Sequence, residues 1–167
     1  MIETKRLSLA PIDEGHFEDL VRLTGHPEVG GRLKHGILDR VATRALLDDY
    51  LADWRERGFG PFVARTRGEG AFAGLIGLRT HKRTGGVALR YAIMPEHRGH
   101  GYTEEALPAV LAFAARLGVP VVMATTEQAN TASRRILEKL GFMLCDDTQN
   151  EDGHPIVVYS MTLGVDA

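Results

Sequence analysis

The chain has 167 residues, the length of one domain built on one core. Hydrophobic residues make up 44% and charged residues 25%, with a net charge of −2. This is the balance of an ordinary globular protein, and the lack of a long basic run argues against nucleic acid as a partner. Cys145 is the single cysteine, which excludes an internal disulfide and fits a reducing, cytoplasmic setting. Residues 1–6 lack the apolar core of a signal peptide, and no apolar run approaches the roughly 20 residues needed to cross a bilayer.

In chain order, residues 6–10 alternate and predict a first strand. Asp13 is a plausible N-cap for a helix with Phe17, Leu20, Val21 and Leu23 on one side. Residues 25–38 hold four glycines and one proline, and predict a long, irregular connection of the kind that carries function. Asp39 caps a second predicted helix whose buried face is expected to carry Val41, Ala45, Leu46 and Trp54, ended by Gly58 and Gly60. Residues 61–67, 71–80 and 87–94 predict three strands. The turns at residues 67–70 and 83–86 make them an antiparallel meander.

A helix is expected from about Thr103, with Ala106, Leu107, Val110, Leu111, Ala114 and Leu117 at helical spacing and Gly118 as its stop. Pro108 lies inside it, where it removes a backbone hydrogen bond to the Glu104 carbonyl. Residues 119–125 predict a short strand, residues 131–140 a helix ended by Gly141, and residues 142–145 and 156–163 a closing pair of strands. Strand, helix and strand over residues 87–125 form a βαβ unit, so those two strands should be parallel with a right-handed crossover. The expected class is α+β, with a mixed, mostly antiparallel sheet around a central parallel βαβ unit and about four helices. Residues 1–167 are expected to form a single domain.

Between that strand and helix lies Arg98-Gly99-His100-Gly101-Tyr102. A glycine-rich turn at a helix start leaves backbone N–H groups unpaired in front of the positive helix end, which is a phosphate site. A P-loop would need Gly-Lys-Ser/Thr, which the chain lacks. A dinucleotide fingerprint would need a third glycine and an early position in a doubly wound fold, and neither condition is met.

Arg98-Gly99-His100-Gly101-Tyr102-Thr103 resembles the Arg/Gln-x-x-Gly-x-Gly/Ala signature of the GNAT acyltransferases, with Thr103 in the last, usually tiny, position. Glu3-Thr4-Lys5-Arg6-Leu7-Ser8-Leu9 resembles the opening of the branch that acetylates ribosomal-protein N-termini, and residues 130–142 resemble its second signature. The resemblance covers nearly the whole chain. It implies a single-domain N-acetyltransferase with acetyl-coenzyme A as donor, acting by direct transfer in a ternary complex. The implied partner is a primary amine, on a small molecule or a protein N-terminus, with no nucleic acid and no membrane. A homodimer is left open, and no metal is called for.

For the site, the resemblance implies that amides of Arg98, Gly99, His100, Gly101, Tyr102 and Thr103 hold the pyrophosphate. It also implies that the parallel strands splay apart. Backbone groups of Ile93 and Met94 then hold the pantetheine arm, and a main-chain N–H near Ala92 or Ile93 faces the thioester oxygen. Asn130 is either a helix N-cap or a hydrogen-bond partner of the arm. Ser133 is either a structural first-turn serine or, as the resemblance implies, a donor beside the cofactor sulfur. Many members carry a tyrosine general acid one turn later, where this chain has Leu137. Glu127, His81 and His35 are the candidate bases, and an ordered water is the alternative. Arg90 stands where the branch commonly has glycine: either a strand surface residue, or one that reaches an acceptor carboxylate. Trp54, Phe59 and Tyr91 are expected in the core. A non-catalytic coenzyme A-binding module is the rival reading, and a nicotinamide-dependent oxidoreductase the weaker one.

Overall fold

The computed structural model describes residues 1–33 and 35–164. A two-residue strand β1 (Ile2–Glu3), too short to show a period in sequence, pairs antiparallel with β2 (Leu7–Pro11), Ile2 opposite Leu9. Alternation in β2 is as expected: Leu7 and Leu9 are buried. Asp13 caps a 3₁₀ turn (Glu14–His16), its Oδ1 accepting from the Gly15 N–H at 2.8 Å. Helix α1 (Phe17–Thr24) then buries Leu20 and Leu23. The expected irregular connection contains a four-residue helix, α2 (Pro27–Gly30), with Pro27 in its first turn and the His26 ring accepting from the Glu28 N–H. This is one helix more than expected.

Helix α3 (Arg40–Arg57) starts and stops where sequence places it. Asp39 Oδ1 accepts from the Ala42 N–H at 2.8 Å, and Gly58 closes it at φ 73°. Its buried face is not the predicted one. Val41 is 81% exposed, whereas Thr43 and Leu47 are fully buried. The polar Thr43 hides this phase from a hydrophobic period. Its hydroxyl lies 2.8 Å from that of Thr24 in α1, which also donates to the Leu20 carbonyl at 2.9 Å. Burial therefore leaves neither hydroxyl orphaned. Asp39→Ala should cost about 1 kcal/mol by orphaning the Ala42 N–H. Urea denaturation reads this directly, and an unshifted midpoint would mean that the cap contributes nothing.

Strands β3 (Pro61–Thr66), β4 (Phe72–Thr80) and β5 (Val87–Ile93) follow within two residues of the predicted bounds. Helix α4 (Tyr102–Arg116) opens one residue earlier than expected and continues through Pro108, which is solvent-exposed. Strand β6 (Val121–Glu127) begins two residues later than expected. The chain first wraps back onto the end of α4, with Gly118 at φ 76° and the Val119 N–H donating to the Ala114 carbonyl at 3.1 Å. Helix α5 (Thr131–Leu140) matches its predicted bounds. Strands β7 (Met143–Gln149) and β8 (Pro155–Thr162) close the chain. The β7 strand runs further than expected into a polar stretch, and all its residues are exposed.

The chain divides into two compact units. Unit one comprises Met1–Arg79 and Arg90–Val110, among the described residues. Its strands run β1-β2-β3-β4-β5, and one core joins Leu20, Leu23, Val29 and Leu47 of the helices to Val63, Phe72, Leu75 and Met94 of the sheet. Trp54 packs against this core as expected. Its ring meets Phe62 edge-on at 5.0 Å, and its Nε1 donates to the Pro61 carbonyl at 2.9 Å. Unit two comprises Thr80–Leu89 and the described residues from Leu111 on. Its strands run β5-β6-β8-β7, with β5 and β6 parallel at Val87↔Val122 and Ala88↔Met123, and the remaining pairs antiparallel. The fold is the expected α+β class, a mixed sheet of eight strands around one parallel pair. Among the described residues, no helix is long and apolar enough to cross a membrane.

Candidate active site

The glycine-rich turn lies in unit one, between β5 and α4. A 3₁₀ turn (Pro95–His97) leads out of the strand. Gly99 at φ 75° and Gly101 at φ 73° then occupy the left-handed region that side chains avoid. The first helical bond of α4 runs from the Glu105 N–H to the Gly101 carbonyl at 3.0 Å. Ahead of it, the N–H groups of Gly99, His100, Gly101, Tyr102 and Thr103 have no protein acceptor among the described residues. Five donors at the positive end of a helix of 15 residues form the cradle that an anion needs. The residues present fit a phosphate-bearing group.

Positive charge surrounds this cradle. Arg98 donates from Nε to the Ile93 carbonyl at 3.3 Å and from Nη2 to the Glu28 carbonyl at 2.8 Å, which ties the turn to β5 and α2. The His100 ring stacks on Tyr102 at 5.4 Å. Sequence reasoning missed Arg6. Its guanidinium lies over the Tyr102 ring at 4.9 Å and pairs with Glu105 at 2.6 Å. Burial would raise the Glu105 carboxyl, but hydrogen bonds from Thr4 and from the Arg6 backbone and side chain hold it below its ordinary value. The acidic first turn of α4 is thus partly neutralised by the N-terminal segment.

The strand end is more selective than expected. The Met94 N–H donates to the Ala73 carbonyl at 2.9 Å, and the Met94 carbonyl accepts from the His97 N–H at 2.9 Å. Strand alternation turns the Met94 and Ala92 N–H groups toward β4 and the Ile93 N–H away from it. The Ile93 N–H is thus the donor on the side away from β4, while the Met94 N–H is engaged.

The other candidates, His35 apart, lie in unit two. Asn130 is the cap of α5, its Oδ1 accepting from the Ser133 N–H at 3.1 Å. Ser133 is buried, and Leu137, one turn on, is 1% exposed. Glu127 is the last residue of β6 rather than a residue beyond it, because the strand stays paired with β8 as far as Glu127↔Ile156. It lines an open recess of about 310 Å³ with Gln128, Ala129, His154 and Pro155. His81 belongs to the β4–β5 turn. Its N–H donates to the Gly86 carbonyl at 2.8 Å and its Nδ1 accepts from the Thr84 N–H at 3.3 Å, which gives that ring a structural task. His35 is exposed beside Gly36 in unit one. Cys145 lies within β7, exposed, with Sγ 2.8 Å from Ser160 Oγ.

The family model of the Acetyltransferase (GNAT) domain matches residues 6–143. Among solved structures, the fold matches a chain assigned to the GnaT acetyltransferase family from Bordetella pertussis at TM-score 0.86. The two are 23% identical over 96% of this chain and 98% of that one. It also matches the RimL ribosomal L7/L12 alpha-N-protein acetyltransferase in complex with coenzyme A, at TM-score 0.83 and 18% identity over 98% and 97%. A third match is spermidine N-acetyltransferase from Vibrio cholerae in complex with coenzyme A and spermine, at TM-score 0.77 and 14% identity over 93% and 95%. With its signature turn built as an anion cradle and the family model running through both units, the chain belongs to the GNAT acetyltransferase family.

Proposed function

We propose that the chain is an N-acetyltransferase that moves an acetyl group from acetyl-coenzyme A to a primary amine by direct attack in a ternary complex. The observation that carries this reading is the row of five unpaired N–H groups at Gly99, His100, Gly101, Tyr102 and Thr103. They would hold the diphosphate, with Arg98 and Arg6 adding positive charge. Relatives with coenzyme A bound support the choice of donor. The family match at 6–143 crosses both units and supports reading residues 1–167 as one domain.

Acetyl-coenzyme A supplies an activated thioester. The Ile93 N–H would stabilise charge developing on its carbonyl oxygen, as preorganised donors do in acyl transfer. The amine must arrive deprotonated. Glu127 is the carboxylate we assign to its proton, directly or through water, because it lies at an open recess. The departing thiol has an ordinary pKa near 8.5, so at neutral pH it leaves with modest help. Ser133 is the donor assigned to it, since the Leu137 side chain is apolar and enclosed. Asn130 caps α5 and so fixes the turn that carries Ser133.

Release of free thiol from acetyl-coenzyme A with a panel of amines tests the reading. Ser133→Ala should lower kcat by about tenfold, within the range of one proton-transfer group, with coenzyme A affinity little changed. Equal turnover would assign Ser133 to helix structure alone. The enclosed Leu137 favours a second reading, a non-catalytic acyl-coenzyme A-binding module. Tight coenzyme A binding with no thiol release on any amine would select it.

A further inference from the structure

The face of the sheet that packs under α3 carries two arginines and one partner for them. Leu75 of β4 and Ala92 of β5 both face the core beneath α1 and α3. Strand alternation puts Arg79, four residues beyond Leu75, and Arg90, two residues before Ala92, on that same face. Arg79 is fully engaged. Its Nε pairs with Asp53 Oδ2 at 2.7 Å, both side chains being less than a fifth exposed, and its guanidinium lies 4.4 Å over the Tyr50 ring. Arg90 makes no hydrogen bond and no ion pair among the described residues. The groups that act on it are the like charge of Arg79 and the Tyr50 hydroxyl. Burial raises the Tyr50 pKa, so that phenol is neutral and offers no counter-charge. Asp49, which also acts on Tyr50, is exposed.

Arg79 thus holds the Asp53 carboxylate, and Arg90 beside it has no anion of its own. Burial, and then Arg79, lower the Arg90 pKa from its ordinary value. Arg90 is nonetheless exposed, so its guanidinium is open to solvent beside Arg79. An exposed guanidinium with no protein anion is available to an anion from solution. The planar guanidinium fork matches a carboxylate with two parallel hydrogen bonds. Arg90 lies three residues before Ile93, about 10 Å along the strand. An arginine side chain and a small acceptor together span that length.

We propose that Arg90 is a specificity residue of the acceptor site, and that the natural acceptor carries a carboxylate a few bonds from its reactive amine. This rests on the acetyltransferase reading above and narrows its substrate class. Arg90 also works against a polyamine, because a second cation would meet its unpaired charge. A free amino acid and a peptide with an acidic first residue offer the same carboxylate chemistry.

Thiol release by the full chain, with saturating acetyl-coenzyme A, tests this on paired acceptors. One pair is β-alanine and β-alaninamide. The other is two C-terminally amidated peptides that differ only in Asp or Asn at the first residue. Spermidine is the cationic probe. The carboxylate member of at least one pair should be preferred by about tenfold or more in kcat/KM, the worth of one bidentate pair, and spermidine should be poor. In Arg90→Gln that ratio should fall toward one, mainly through KM, and Arg90→Lys should restore part of it. The Tm of Arg90→Gln should stay close to that of the parent, because the exposed side chain holds no protein partner. The pair that discriminates identifies the source of the carboxylate. Equal kcat/KM within both pairs, or spermidine as the best acceptor, would overturn the Arg90 assignment and leave the acetyltransferase reading standing. Failure to bind coenzyme A, or no thiol release with any amine, would overturn the acetyltransferase reading itself and this inference with it.

Discussion

Gly101→Glu is expected to abolish coenzyme A binding. Three effects act in one direction. The residue sits at φ 73°, where a side chain strains the backbone. A Cβ there would lie 3.5 Å from Arg6 Nη2, so the new carboxylate would compete with Glu105 for Arg6. A negative charge would also stand among the N–H groups assigned to the diphosphate. Together they should weaken binding by at least about 100-fold, or ~2.7 kcal/mol. Titration calorimetry reads this directly. Gly101→Ala keeps the strain without the charge and should lose much less. Unchanged affinity in Gly101→Glu would put the anion site elsewhere.

The second large effect is on stability. Gly74→Ala should be among the most damaging single-methyl substitutions in the chain. Gly74 adopts φ 151°, and a Cβ there would overlap the Ala92 carbonyl oxygen and lie 2.9 Å from Ile93 Cα. Those atoms are backbone, so no side chain can swing aside. Either β4 and β5 part at this point or the residue stays strained. Overpacking of about 1–3 kcal/mol and backbone strain of about 1–3 kcal/mol add to roughly 2–6 kcal/mol. For a chain of this size, each kcal/mol moves Tm by about 2–4 °C, so a fall on the order of 10 °C is expected in thermal unfolding. A Tm within about 2 °C of the parent would mean that the two strands do not approach this closely. Because Ile93 supplies the donor assigned to the thioester oxygen, the variant should also lose turnover ahead of coenzyme A affinity.

Local chemistry made much of the fold legible. Asp39 and Asn130 act through side-chain oxygens on N–H groups three residues on, and Gly58 and Gly141 through their own left-handed backbone, so caps and stops fall where sequence puts them. The phase of α3 was not legible, because its fully buried positions include Thr43, whose burial depends on the Thr24 hydroxyl in α1. Strand β7 was cut short in sequence because its outer half is polar, and at an exposed edge its side chains need bury nothing.

At the site, the cradle from Gly99 to Thr103 could be read because glycines and a helix start declare it. The Arg6–Glu105 pair could not, since it joins residues 99 apart. The engagement of Met94 was also out of reach, because the Ala73 carbonyl that claims its N–H belongs to another strand. Arg90 could be flagged by sequence as unusual. Its lack of a partner became visible only once Asp53 was seen to be engaged by Arg79.

A crystal structure of the chain grown with coenzyme A tests the central claim most directly. The account predicts diphosphate oxygens within hydrogen-bond distance of the backbone nitrogens between Gly99 and Thr103, with the sulfur end directed toward Ile93. A diphosphate bound away from that turn, or a turn left empty at millimolar coenzyme A, would contradict it.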